Sequence, residues 1–235
     1  MDYIIIIIVL IVLTLILAYI YNYNLNKLKK TAIQEENKYD KIVKKYPSNI
    51  EICKDMLNRL NNNNVKVEED TNIENCLYIA ISNKILIANI KNSYTRIQTI
   101  AHECLHSVQD RKILLFNFIF SNIYLIFFIL TVILGLIKKV PSKNLFLSIF
   151  IILSYIYYYV RSYLEDDAMI KARYLSEEYL KETNISNEEQ IKQILLSYDK
   201  INEKGIKCTN FNLFFSTILK ILIISVVFTI RWVMN

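Results

Sequence analysis

Four long apolar runs, Tyr3 to Tyr21, Ile113 to Ile137, Asn144 to Val160 and Phe211 to Met234, constrain this chain more than any other feature of its sequence. A helix needs about 20 apolar residues to cross a bilayer, and inside lipid it must satisfy all of its own backbone hydrogen bonds. Four helical spans are therefore expected. The chain is 54% hydrophobic yet 21% charged, with a net charge of +6. That is too apolar for an ordinary soluble domain and too charged for a chain wholly buried in lipid.

The expected class is mainly α: a multi-pass α-helical membrane protein of four spans carrying a small α+β domain. Its segments are a first span at 1–21, a polar α+β domain at 22–112, a transmembrane hairpin at 113–160, a helical segment at 161–210 and a last span at 211–235. The first run lacks the basic flank and small-residue cleavage site of a signal peptide and reads as a retained anchor. Lys27, Lys29 and Lys30 follow it, and Arg111 and Lys112 precede the second run, which places the domain in the cytoplasm. Lys138, Lys139 and Lys143 in the hairpin connection count against that orientation. Five tyrosines, Tyr155, Tyr157, Tyr158, Tyr159 and Tyr163, are expected as an interfacial cluster. Arg231 can snorkel beside an interfacial Trp232, whereas Lys220 lies halfway along the last run, as a functional charge or one reaching the inner headgroups. Abundant Ile, Asn, Lys and Tyr with scarce Gly match a low G+C coding bias, hence a bacterial source.

Within 22–112, Leu28 to Lys45 reads as a charged helix ended before Tyr46-Pro47, and Ser48 with Glu51 as a capping box opening a helix to Leu60. Val65 to Glu69 alternates as a strand does. Leu77 to Ile81 and Ile85 to Ala88, around Ser82-Asn83-Lys84, suggest a hairpin. No Gly or Pro interrupts Ser93 to Phe116, which predicts one helix there. Gly205 reads as the stop of a helix over Asn187 to Glu203.

The helix over 93–116 contains His102, Glu103 and His106 in the order H-E-x-x-H, using both histidines of the chain. Residues four apart share a helix face, so both imidazoles can reach one metal ion with the Glu103 carboxylate beside them to take a proton from activated water. The four cysteines form no C-x-x-C pair, and Cys104 points away from the histidine face as a packing residue. A third ligand must then be a carboxylate or a cysteine. Two spans return the chain to the face it left, which brings Glu165, Asp166 and Asp167 into reach. If the third span continues as a helix, Glu165 shares a face with Ala168, Ala172 and Leu175, so Glu165 is chosen. Asp167 is then a group that orients a ligand or a solvated charge, and Gln109, one turn past His106, is an orienting group or ordinary surface polarity.

An anchor span, a domain ending in A-H-E-x-x-H-x-x-Q, two spans, an E-x-D-A segment and a final span resemble the YugP-like membrane-bound neutral zinc metallopeptidases. The likeness extends more distantly to the HtpX and CAAX prenyl protease group of gluzincins. It covers nearly the whole chain and rests on Ala101, His102, Glu103, His106, Gln109, Glu165, Asp167 and Ala168. It implies a gluzincin-like metallopeptidase domain, one zinc ion on His102, His106 and Glu165, and Glu103 as the general base. The chain departs from the pattern at Leu105, where Gly is usual, at Ser107, where Ala is usual, and at Met169, where Ser is common.

A multi-pass metallopeptidase of the cell membrane with its site on the cytoplasmic side is thus expected. Its partners would be the bilayer and a peptide or protein substrate, membrane proteins included, and no nucleic acid. A catalytically inactive zinc-binding scaffold or chaperone-like protein of the same fold is the alternative. An intramembrane protease would carry the motif inside an apolar run, and a transporter would need polar groups along several spans.

Overall fold

The computed structural model describes the backbone of residues 2–90 and 93–233, and the side chains there apart from those at 2, 3, 6, 23, 36, 37 and 230–233. The snorkelling and anchoring roles expected of Arg231 and Trp232 lie outside the described side chains. Six helices and three strands follow in the order α1 (Asp2–Val43), α2 (Asn49–Arg59), β1 (Lys66–Glu69), β2 (Leu77–Ile79), β3 (Lys84–Ile87), α3 (Arg96–His106), α4 (Arg111–Leu136), α5 (Lys143–Glu182) and α6 (Glu188–Val233). Four of the helices are long and apolar enough to span a membrane: α1, α4, α5 and α6.

The chain divides into two units. One comprises Met1–Leu25, Phe116–Tyr163 and Cys208–Asn235; the other comprises Asn26–Leu115 and Leu164–Lys207. In the first, Tyr124, Phe150, Ile224 and Phe228 form a buried cluster from α4, α5 and α6. Gly135 lets two of these helices approach, because a Cβ there would stand 2.7 Å from Val227 Cγ1. Tyr155, Tyr159 and Tyr163 are exposed, but Tyr157 turns inward and stacks on Tyr124, so the five tyrosines do not form a single outward cluster. Lys220 Nζ lies 5.1 Å and 5.6 Å from the ring centroids of Tyr124 and Tyr157 and donates to Ser216 Oγ at 3.2 Å. Two aromatic faces and one hydroxyl thus gather around the Lys220 amine, the geometry of a cation–π contact.

In the second unit, the three-stranded sheet has the order β1-β3-β2, with β1 parallel and β2 antiparallel to the central β3. The β2–β3 connection is closed by Asn83, whose φ of 47° suits the residue type best able to adopt a left-handed conformation after Gly. Ile85 and Ile87 of β3 are fully buried against Ile52 and Met56 of α2 and Ile97, Ile100 and Ala101 of α3, while Ala168 and Ala172 of α5 join the same core. The capping box of α2 is present: Glu51 N–H donates to Ser48 Oγ at 3.3 Å, and Ser48 N–H donates to Glu51 Oε2 at 2.9 Å. At the start of α3, the fully buried Arg96 guanidinium donates to the carbonyls of Val43, Tyr46 and Pro47 and to Asn49 Oδ1, at 2.8 to 2.9 Å. It thereby supplies donors to the Tyr46 and Pro47 carbonyls just past the end of α1 and a second donor to the Val43 carbonyl, which also accepts the Tyr46 N–H.

Two sequence expectations are corrected. The segment from Ser93 to Phe116 is not one helix: α3 stops at His106 and α4 starts at Arg111. Asp110 Oδ1 accepts the N–H groups of Lys112 and Ile113, so a side-chain cap restarts the helix where no Gly or Pro marks a break. Conversely, Gly205 does not end a helix, since α6 runs through it. A Cβ there would stand 3.0 Å from Met169 Cε, so the glycine makes room for a neighbouring side chain.

Candidate metal centre

His102 and His106 project from one face of α3 with their Nε2 atoms 3.0 Å apart and their rings nearly perpendicular, at 84°. Glu165 Oε2 of α5 lies 3.5 Å from His102 Nε2 and 3.8 Å from His106 Nε2. One ligand atom from each residue falls within 4.8 Å of the others, which makes this the one such group of three or more among the described residues. Ligand atoms about 2.1 Å from a tetrahedral ion stand about 3.4 Å from one another, so the spacing suits a transition-metal ion with one position left over. Two imidazoles and a carboxylate fit several divalent metals, zinc among them.

The approach of α5 follows from its sequence. The helix continues without a break from the third apolar run to Glu182, and Ala168 and Ala172 on the buried face let its backbone lie close to α3. That places Glu165 at the end of the small-residue stripe that faces the two histidines, while Asp167 meets another group. Gln109 Nε2 donates to the Leu164 carbonyl at 2.7 Å and to Asp167 Oδ2 at 3.1 Å, and its Oε1 lies 2.8 Å from His106 Nδ1. Burial works against ionisation of Asp167, but Lys171, whose Nζ stands 2.6 Å from Asp167 Oδ1, together with Gln109, holds its carboxyl below the usual range. Burial likewise disfavours a charged His106 ring, yet Glu165, with smaller contributions from Glu103 and Gln109, outweighs this and raises its pKa above the ordinary value.

Glu103 is buried and sits on the sheet side of α3, where its Oε2 accepts the main-chain N–H of Tyr78 in β2 at 2.6 Å. The sequence offers no sign of this bond, because the donor is a backbone group that only the register of β2 aims at the helix. It is equally silent on Asn62, which anchors Ser107 at the end of α3. Cys104 packs in the core with its Sγ 3.6 Å from Cys53 Sγ, although the two cysteines are 51 residues apart and form no sequence motif. Burial pushes the Cys104 thiol pKa well up, which makes it a poor ligand or nucleophile. Leu105 is buried in the same core and serves packing. Comparison with protein-family models, curated proteins and solved structures finds no match to this chain.

Proposed function

We propose that this chain is a membrane-embedded zinc metallopeptidase of the YugP-like kind that hydrolyses peptide bonds at the cytosolic membrane face. The observation that carries the reading is the grouping of His102, His106 and Glu165, with one ligand atom of each within 4.8 Å of the others. These three residues would hold the ion, which when bound supplies a Lewis acid to polarise a peptide carbonyl and to acidify water. Glu103 would take the proton of the attacking water and deliver it to the leaving amine. One of its oxygens is held by Tyr78 N–H, which leaves the other for that task. β2 pairs with β3 on one side, and among the described residues no strand pairs with its other side, an edge suited to an extended peptide.

The Tyr78 bond also favours a second reading, in which Glu103 is a clamp between β2 and α3 in a catalytically inactive, zinc-binding scaffold or chaperone-like protein. Glu103→Gln separates the two. An amide oxygen can still accept the Tyr78 N–H, so the fold is kept, but an amide cannot act as a base. Metal content and peptide hydrolysis of the purified protein are the measurements. Zinc in both proteins with hydrolysis lost in the variant supports the peptidase; a metal-free wild type, or a variant of undiminished activity, sinks it.

A further inference from the structure

Gln109 closes a bridge between the two helices that carry the candidate ligands, and hydrogen-bond chemistry fixes its orientation. Its two amide ends are hard to tell apart by shape, but their partners are not equivalent. The Leu164 carbonyl, 2.7 Å away, can only accept, so the group facing it must be the amide NH2. Asp167 Oδ2, at 3.1 Å, accepts from the same nitrogen. The other end of the amide is then an oxygen, which cannot donate, and it meets His106 Nδ1 at 2.8 Å. The ring nitrogen must therefore be the donor.

We propose that Gln109 is a positioning residue: its amide selects the Nδ1–H tautomer of His106 and ties that choice to the turn of α5 that carries Glu165. This rests on the metal-site reading above. With the proton on Nδ1, the His106 lone pair lies on Nε2, the atom that faces His102 Nε2 at 3.0 Å and Glu165 Oε2 at 3.8 Å. With the amide nitrogen on the Leu164 carbonyl, the residue immediately before Glu165 is pinned to the residue three beyond His106. One neutral side chain thus aligns a histidine ligand from α3 and a carboxylate ligand from α5. Partners of this kind commonly change metal affinity about 10–100-fold when removed.

The test uses the full-length protein in detergent, labelled with nitrogen-15 histidine. The chain has only two histidines, so two ring systems are to be assigned. In metal-free protein under alkaline conditions, where both rings are neutral, wild-type His106 is expected as the Nδ1–H tautomer. Gln109→Met should abolish that preference and weaken cobalt(II) binding by about 10–100-fold, measured by competition with a chelator. Gln109→Glu should keep the tautomer, because a carboxylate still accepts from Nδ1–H, yet lose cobalt affinity, because it cannot donate to the Leu164 carbonyl. A wild-type His106 in the Nε2–H form overturns the proposal. So does a Gln109→Met protein, with unchanged helical circular dichroism, whose tautomer and cobalt affinity both match wild type. A wild type that takes up no cobalt strikes the metal-site reading itself, and the tautomer spectra still decide whether Gln109 orients the ring.

Discussion

Asn62 donates its side-chain amide to both the carbonyl and the hydroxyl of Ser107, at 3.0 and 2.9 Å, and so fastens the last turn of α3 to the α2–β1 turn. The Ser107 hydroxyl also donates to the Cys104 carbonyl at 2.6 Å, a second donor to an oxygen that already accepts the Ser107 N–H at 3.1 Å. Asn62→Ala and Ser107→Ala should each destabilise the protein by about 1 kcal/mol. The double variant should lose less than the sum of the two, since both changes remove one contact. Thermal unfolding of the four proteins measures the coupling, and full additivity would show that the contact contributes nothing.

The two glycines of the chain should respond oppositely to alanine. At Gly205 the added methyl meets only Met169 Cε at 3.0 Å, the free end of a flexible side chain. The gain in helix propensity, about 1 kcal/mol, should prevail, and Gly205→Ala should be neutral or stabilising. At Gly135 the methyl would reach 2.7 Å from Val227 Cγ1, on a stiff β-branched side chain, with Phe228 Cε1 at 3.2 Å. Overpacking of this kind costs about 1–3 kcal/mol, so Gly135→Ala should lower the unfolding temperature in detergent.

Glu165 and Asp167 are two residues apart, yet they should differ sharply as ligands. Glu165 Oε2 approaches both imidazole nitrogens, whereas Asp167 pairs with Lys171 and Gln109. Glu165→Gln should reduce zinc occupancy at least 10-fold, and Asp167→Asn should reduce it much less. Elemental analysis after dialysis against a weak chelator provides the comparison; equal losses, or a larger loss at 167, would move the third ligand.

Orientation in the membrane can be read with two introduced cysteines. The four native cysteines are all buried, and burial pushes the Cys76 thiol pKa up to about 11, which leaves little background for alkylation. Asn63 and Ser142 are both exposed. With the α+β unit in the cytoplasm, an impermeant maleimide applied to intact cells should label Ser142→Cys and spare Asn63→Cys. The reverse pattern would turn the topology over.

Much of this architecture is legible in local chemistry. The apolar runs mark the four long helices because a span needs length and apolarity, both properties of a continuous stretch. The Ser48–Glu51 box marks the start of α2 because both partners lie within one turn. Two local signals mislead. Asp110 restarts a helix where no Gly or Pro warns of a break, and Gly205 is a packing gap inside a continuous helix.

His102, Glu103 and His106 follow from spacing alone, because a helix puts residues four apart on one face whatever surrounds it. Glu165 can be reached by assuming that α5 continues unbroken past its apolar run, which it does. The atoms that hold these groups in place are another matter: Tyr78 N–H on Glu103, the Leu164 carbonyl on Gln109 and the Asn62 amide on Ser107. Two of these partners are backbone groups, present at every residue and therefore invisible as a motif, and all three lie between 25 and 55 residues from the side chain or turn they hold. Residue spacing settles which side chains share a helix face. Which donors and acceptors meet them is decided by the packing of α2, β2 and α5 around α3, because that depends on strand register and on how closely the helices approach.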